Sequence, residues 1–436
     1  MAFGGGTFTT TNKVIPGAYI NFVSAEKASA ALSDNGVVAM PLELEWGPQG
    51  SIFEVSGSDF IKKSAEIFGY SYGHEKMKNM RELFSGASEL LAFRLGTGGA
   101  AASNAFATAL HPGTRGNDIV IAIEQSVDDE SSYIVITKVD GTEWDRQTVT
   151  AASELKPNAW VTFKTSASLS VTSGTALTGG TNGTVAGSDY QTFLDQAESY
   201  SFNILASDAT DASTKKLFGA YNRRMRDEAG AKFQTVLYKF ADADYYGAIS
   251  VENTVSDAGA KESAAVYWVA GAEAGCPLNG SLANTVYNGE YIIIADYTQK
   301  QLAQAIETGK FIFHRAGKEI RVLEDINTQV TMSDTIGDEF RYNQTVRVMD
   351  KVANTTAAVF NNKYSGRFNN DPVGRNALRN DIVKILDELA ALGAIEEYDP
   401  GDIVIAQGEN KRDVIVTMSI TVSGAMSKLY MTVHVG

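Results

Sequence analysis

The hydrophobic pattern changes period several times along the chain, and each change predicts a different kind of element. Residues 1–13 are mostly Gly and Thr with two Phe. Gly4, Gly5 and Gly6 loosen the backbone, while Thr7, Thr9, Thr10 and Thr11 favour extended structure, so the stretch reads as an arm. Residues 16–23 ("PGAYINFV") read as a first strand, 58–68 and 75–84 as short helices, and 90–95 ("LLAFRL") as a buried strand. From about residue 98, short apolar runs at 119–123, 133–139, 144–149 and 160–164 are separated by Gly, Asp and Asn turns. This spacing predicts a small inserted all-β domain. It closes on a Ser/Thr/Gly-rich stretch, 172–187, with the composition of a linker.

Helix and strand periods then alternate. The pattern predicts a helix capped by Ser188, a strand at 202–206, a helix over 212–229 and a strand at 233–238. A helix at 261–272, a strand at 291–296, a helix at 299–308 and a hairpin at 311–322 turning at 316–318 follow. Such alternation implies a mostly parallel sheet covered on both faces. After about residue 327 helices dominate. The clearest spans 374–392, where Leu378, Ile382, Ile385, Leu386 and Leu389 recur at three- and four-residue steps.

The last residues return to a period of two. Val414, Val416, Met418, Ile420 and Val422 alternate with Ile415, Thr417, Ser419 and Thr421. Leu429, Met431, Val433 and Val435 then point one way, and Tyr430, Thr432 and His434 the other. An open strand edge invites aggregation, so the final strand calls for a partner that the sequence downstream does not supply.

At 436 residues the chain has room for about three domains. Lys and Arg total 37 against 52 Asp and Glu, giving a net charge of -15, which repels phosphate backbones and argues against nucleic-acid binding. The single Cys276 rules out an intramolecular disulfide framework. The N-terminus lacks the basic and apolar regions of a secretory signal, and the apolar runs fall far short of the ~18 residues a bilayer span needs. The expectation is therefore a chain made in the cytoplasm, with no direct membrane insertion.

Candidate chemistry is sparse. "GTGGAA" at 96–101 fits a dinucleotide fingerprint with Asp118 at the ribose-binding distance. The following residues break at Pro112 and Gly113 and open onto hairpins instead of a long helix, so a flexible domain junction is the better account of the glycines. "DADYYG" at 242–247 resembles the start of a Ca²⁺ loop but has Tyr246 and Asn253 where ligands belong, and reads as a turn. The four histidines lack zinc-site spacing, no Ser sits in G-x-S-x-G, and no phosphate-binding loop is present. No enzyme activity and no cofactor are expected. Arg223, Arg224 and Arg226, followed by Asp227 and Glu228, read either as a solvated face of weak ion pairs or as a subunit contact.

Eight stretches in order over more than four hundred residues carry a resemblance: "IPGAYINF", "EWGP", "HPGTRGNDI", "YNRRMRDEAGAKFQTVL", "VAGAEAGCPLNGSL", "EDINT", "GRFNNDPVGR" and "AMSKLYMTVHV". Together they resemble the contractile tail sheath proteins of phages, R-type bacteriocins and related injection systems. The sequence departs at Gly424 and Ser427, where that family typically carries acidic residues.

The resemblance implies a multidomain α/β chain: an arm and first strand (1–23), the start of the α/β region (24–97), a β-sandwich-like insertion (98–178), a subtilisin-like, mostly parallel α/β core without a protease triad (188–328), and an α+β C-terminal domain (329–436). It further implies terminal strands exchanged between subunits. Phe8, Ile15, Tyr19, Phe22, Met418, Ile420, Leu429, Tyr430, Met431, Val433 and Val435 are the candidates for that exchange. Arg375, Arg379 and Lys384 are candidates for touching an inner tube, and the Arg223, Arg224 and Arg226 trio for contacts in the lattice. The implied partners are further copies of the chain, the inner tail tube protein, and baseplate and tail terminator proteins, in a virion tail or bacteriocin particle assembled in the host cytoplasm. A static helical or shell-forming subunit is the alternative within the structural class.

Overall fold

The computed structural model describes residues 36–435 and, ahead of them, the backbone of two short strands, β1 (Gly4–Gly6) and β2 (Gly17–Tyr19), paired in parallel. Strand β3 (Val37–Leu42) is apolar throughout and needs cover on both faces. It lies beside β5 (Glu89–Arg94), which also pairs antiparallel with β4 (Ile52–Ser56). Between β4 and β5 run two helices. In α1 (Gly57–Phe68), Ser56 accepts the Asp59 N–H at one end and left-handed Gly69 closes the other. A short 3₁₀ turn, Glu75–Met77, leads into α2 (Lys78–Phe84).

The chain then leaves the core for the β insertion: β6 (Ala107–Ala109), β7 (Ile119–Gln125), β8 (Tyr133–Val139), β9 (Thr142–Val149), β10 (Val161–Phe163) and β11 (Thr172–Ala176). A four-stranded sheet in the order β11-β7-β8-β9 and the β6–β10 pair enclose one apolar core, including Ile119, Ile121, Ile123, Val135 and Trp160. The stretch read as a linker is part of this sheet. Thr172, Thr175 and Ala176 pair with β7, Thr178 and Thr181 bond back to Ser103 and Ala100, and Leu177 directly after β11 is fully buried.

The junction is tight, against the expectation of a flexible one. The outgoing and returning strands of chain touch back to back at Gly96 and Gly183. A Cβ on Gly183 would sit 1.9 Å from the Gly96 carbonyl oxygen, and one on Gly99 2.5 Å from that of Thr181. These glycines serve close approach of backbone. Arg94, fully buried, locks the crossing by donating to the carbonyls of Leu44 (3.0 Å), Gly47 (2.9 Å) and Pro112 (2.6 Å).

Back in the core come α3 (Gly187–Ala197), β12 (Ile204–Ser207), α4 (Ala212–Arg224), β13 (Gln234–Tyr238), β14 (Ala248–Val251), α5 (Ala265–Gly275), α6 (Gln299–Glu307) and the hairpin of β15 (Phe313–Ala316) and β16 (Glu319–Val322). Ser188 lies inside α3. The orphan N–H at its start, that of Ala186, goes to the Asp189 carboxylate at 2.9 Å. The six-stranded sheet runs β14-β13-β12-β3-β5-β4, parallel except at β4. Alternate residues face opposite layers. Val38, Met40, Ile204, Val236 and Ile249 pack toward α2 and α5, while Ala39, Leu91, Leu205 and Leu237 pack toward α3 and α4. The apolar 291–296 run forms no strand; only Ile293 bridges to Val255, and Ile292 and Ile294 point outward.

The C-terminal region packs α7 (Asn343–Val359) against α8 (Pro372–Ala391) through Val348, Val352, Leu378, Ile382, Leu386 and Leu389. Asp371 caps α8, taking the Gly374 N–H at 2.8 Å, and Pro372 fits its first turn. A hairpin of β17 (Val404–Gln407) and β18 (Val414–Thr417) covers one side of the helix pair.

Candidate assembly surfaces

The terminal segment leaves the body at a defined point. Ser423 donates its N–H to the Ala394 carbonyl (3.0 Å), and Gln344 grips the segment twice, donating to the Ser423 carbonyl (2.8 Å) and accepting the Ala425 N–H (3.0 Å). From Met426 onward the chain pairs with no strand of its own among the described residues. Leu429 is 86%, Tyr430 89% and Val435 92% exposed, and Met431 and Val433 are nearly as open. The predicted two faces therefore both meet solvent. An apolar ribbon with unspent backbone groups is a template for pairing with another chain.

A complementary surface lies on the same domain. Neither β17 nor β18 pairs with a second strand among the described residues. Beneath the hairpin, Val414, Val416, Met418 and Ile420 face Met349 and Phe360 across an apolar groove of about 590 Å³. Met418 and Ile420 thus form the wall of a groove in their own subunit, half-buried, while Val404 and Ile415 are exposed on the hairpin's outer face. Phe8, Ile15 and Phe22 lie outside the described residues; Tyr19 ends β2.

The three arginines on and after α4 do not share one face. Arg226 is buried: both terminal nitrogens donate to Asp350 of α7, each at 2.6 Å, and one also to the Phe233 carbonyl at 2.6 Å. Arg223 and Arg224 are exposed, the first stacked 4.1 Å over the Tyr245 ring and the second paired with Glu198. Of the α8 cations, Arg375 donates to Asn370 and Arg379 to the Ile403 and Pro400 carbonyls, tying down the turn before β17. Lys384 is exposed beside Asp381 at 3.4 Å.

The glycine-rich turn at 96–101 is occupied by the protein itself. The Gly96 N–H and the Thr97 hydroxyl both go to the Asp189 carboxylate at 3.2 Å, and Asp118 pairs with Arg115 at 2.8 Å. A dinucleotide pyrophosphate would need the donors that Asp189 takes.

Sequence reasoning passed over the buried charges that join core to C-terminal region: Arg226 with Asp350, and Glu273, Asp325 and Arg347 together. A signal for the second group existed, since Glu273 stands alone among apolar residues in "VAGAEAG".

Layered α/β core, β insertion and helical C-terminal region with an unpartnered terminal ribbon define a multidomain structural subunit. The sequence comparisons name the kind. Residues 35–95 match the tail sheath protein Gp18 domain III N-terminal region, 96–182 the phage tail sheath protein beta-sandwich domain, 183–328 the phage tail sheath protein central domain and 336–436 the phage tail sheath C-terminal domain. The phage-like element PBSX protein XkdK of Bacillus subtilis (strain 168) is 32% identical over 99% of each chain. The crystal structure of a sheath tail protein from Desulfitobacterium hafniense is 33% identical, with TM-score 0.81 over 95% of this chain and 99% of that one. One from Listeria innocua is 30% identical, with TM-score 0.79 over 94% and 97%. The fold, at 12% identity and TM-score 0.54 over 97% and 99%, is also that of the helical sheath of the anti-feeding prophage in its contracted state. This chain belongs to the phage tail sheath protein family.

Proposed function

We propose that the protein polymerises as a helix around an inner tube and contracts from a metastable extended lattice, driving the tube through a target cell envelope. Identical subunits joined head to tail without ring closure generate such a helix. The observation that carries the reading is the exposed ribbon from Leu429 to Val435, in a domain that also has a hairpin with unpaired edges among the described residues and an apolar groove. Strand addition between copies, with the N-terminal arm as the second donor, satisfies the backbone and buries the ribbon's apolar side chains at once. Each hydrogen bond nets only about 1 kcal/mol, but several per arm keep neighbours tethered while the globular parts turn.

The energy of contraction comes from better packing in the second lattice, in the manner of any bistable interface. Arg223 and Arg224 are the lattice contacts in this reading, since Arg226 is spent inside the subunit. Arg375, Arg379 and Lys384 offer charge to the tube, Arg379 also holding the turn before β17 through the Ile403 and Pro400 carbonyls. The core is assigned a subtilisin-like topology on its parallel sheet with helices on both faces. The inner tube, baseplate and tail terminator are its partners in a virion tail or bacteriocin-like particle assembled in the host cytoplasm.

Deletion of residues 429–436 tests the tether. A soluble, folded subunit that forms no filaments in negative-stain images is expected, and intact sheaths from the truncated chain would refute it. Two helical forms of different diameter from the full chain are expected of a contracting sheath; one form alone means a static wall.

A further inference from the structure

Three elements meet at a buried cluster that no assembly surface uses. Arg347 of α7 donates to Glu273 of α5 at 2.8 Å, reaches Asp325 at 3.5 Å, and gives its other terminal nitrogen to the Gly280 carbonyl at 3.1 Å. Asn343 Nδ2 donates to both carboxylates, at 3.0 Å to Glu273 and 2.8 Å to Asp325. Asp325 also accepts the Leu282 N–H (3.0 Å) and the Ser281 hydroxyl (3.2 Å), and the two carboxylates are brought together on the same Asn343 and Arg347 nitrogens. Two carboxylates therefore face one guanidinium, with each carboxylate side chain almost wholly buried. Ionising both would leave an uncompensated buried charge, and such pairs hold on to one proton instead.

The cluster also fixes the root of the terminal segment. Asn343 begins α7, and its own N–H goes to the Asp325 carbonyl at 3.1 Å. Gln344, the next residue, is the one that grips Ser423 and Ala425. We propose that the proton shared by Glu273 and Asp325 is a latch: while it is present the first turn of α7 and the root of the terminal segment are held to the core, and its loss in alkaline solution frees them.

The surroundings agree in sign. Burial, then the Asp325 charge, push the Glu273 carboxyl well above its ordinary range. Asp325, despite its burial, is held below that range by Arg347 and its other donors. Burial pushes the nearby Cys276 thiol up to about 12, and Glu324, raised by burial, faces Lys428 outside the cluster. Because the folded state prefers Glu273 protonated, its contribution is fully present below the unfolded carboxyl pKa and is lost as pH rises through the folded value. Asp325 acts in the opposite direction, its contribution being lost only in acid.

The full chain and Glu273→Gln are compared over a series of pH values from neutral to alkaline, by urea unfolding and by hydrogen exchange at Ser423 and Ala425 corrected for intrinsic rates. The glutamine cannot titrate, although its amide nitrogen takes the place of one of the two oxygens that accept from Asn343 and Arg347. In the natural chain the folding constant should fall by up to about tenfold per pH unit, with protection of the two amides lost in parallel, whereas the variant stays flat. Parallel profiles for the two proteins overturn the latch. If the variant does not fold, the infrared carbonyl band of a protonated buried carboxylic acid decides: it should be present at neutral pH and vanish as protection is lost, and its absence refutes the proposal. The consequence for assembly rests on the tether reading. Protection lost while filaments form normally keeps the latch and removes the tether.

Discussion

Arg226 gives three hydrogen bonds to Asp350 and Phe233 and lies 5.0 Å under the Tyr246 ring, so its charge is spent inside the protein. Removing one partner of such a pair strands the other in the core. Arg226→Ala should cost about 3–5 kcal/mol in urea unfolding, and Arg226→Met combined with Asp350→Leu much less, because no buried charge remains. The double variant measured as no better than the single would show that packing of the long side chain, not charge, is what counts. The neighbouring Arg223 and Arg224 looked identical in sequence. What separates them is the direction of each side chain around the helix, one step of about 100° per residue, and the chance of an Asp350 waiting on one side.

Helix α5 meets α2 along a seam of glycines. A Cβ on Gly271 would lie 2.0 Å from the Leu83 carbonyl oxygen, and one on Gly275 2.1 Å from that of Gly86. Gly271→Ala should therefore force the two helices apart and lower the melting temperature by several degrees, despite alanine's better helix propensity; an unchanged or higher value would mean the seam yields freely. Long periodic elements such as α8 were legible because Leu378, Ile382, Leu386 and Leu389 leave a helix as their natural home. Short ones were not. β17 ("VIAQ") and β11 ("TSGTA") carry too little pattern and exist because a neighbour supplies the ladder, whereas the more apolar 291–296 run finds no strand to pair with. The exposed apolar alternation of the last residues was legible, although among the described residues it forms no strand, while the groove was not, because it joins residues of α7, α8 and β18 that are far apart in sequence.

At the scale of the whole molecule, a subunit of net charge -15 that polymerises as proposed does so against its own repulsion. Raising ionic strength from about 0.01 M to about 0.15 M shortens the screening length from about 30 Å to about 8 Å. The concentration needed for filaments should fall across that range, as measured by sedimentation of purified subunits. A rise instead would mean that complementary charge between subunits dominates the contacts. The glycine crossing at Gly96 and Gly183 has a consequence for how such molecules diversify. Since the chain departs and comes back through a single point, the insertion could be traded for another module, or a display peptide, without rethreading the six-stranded sheet, provided the replacement again covers Trp46 and Ala65, which lie in its apolar core.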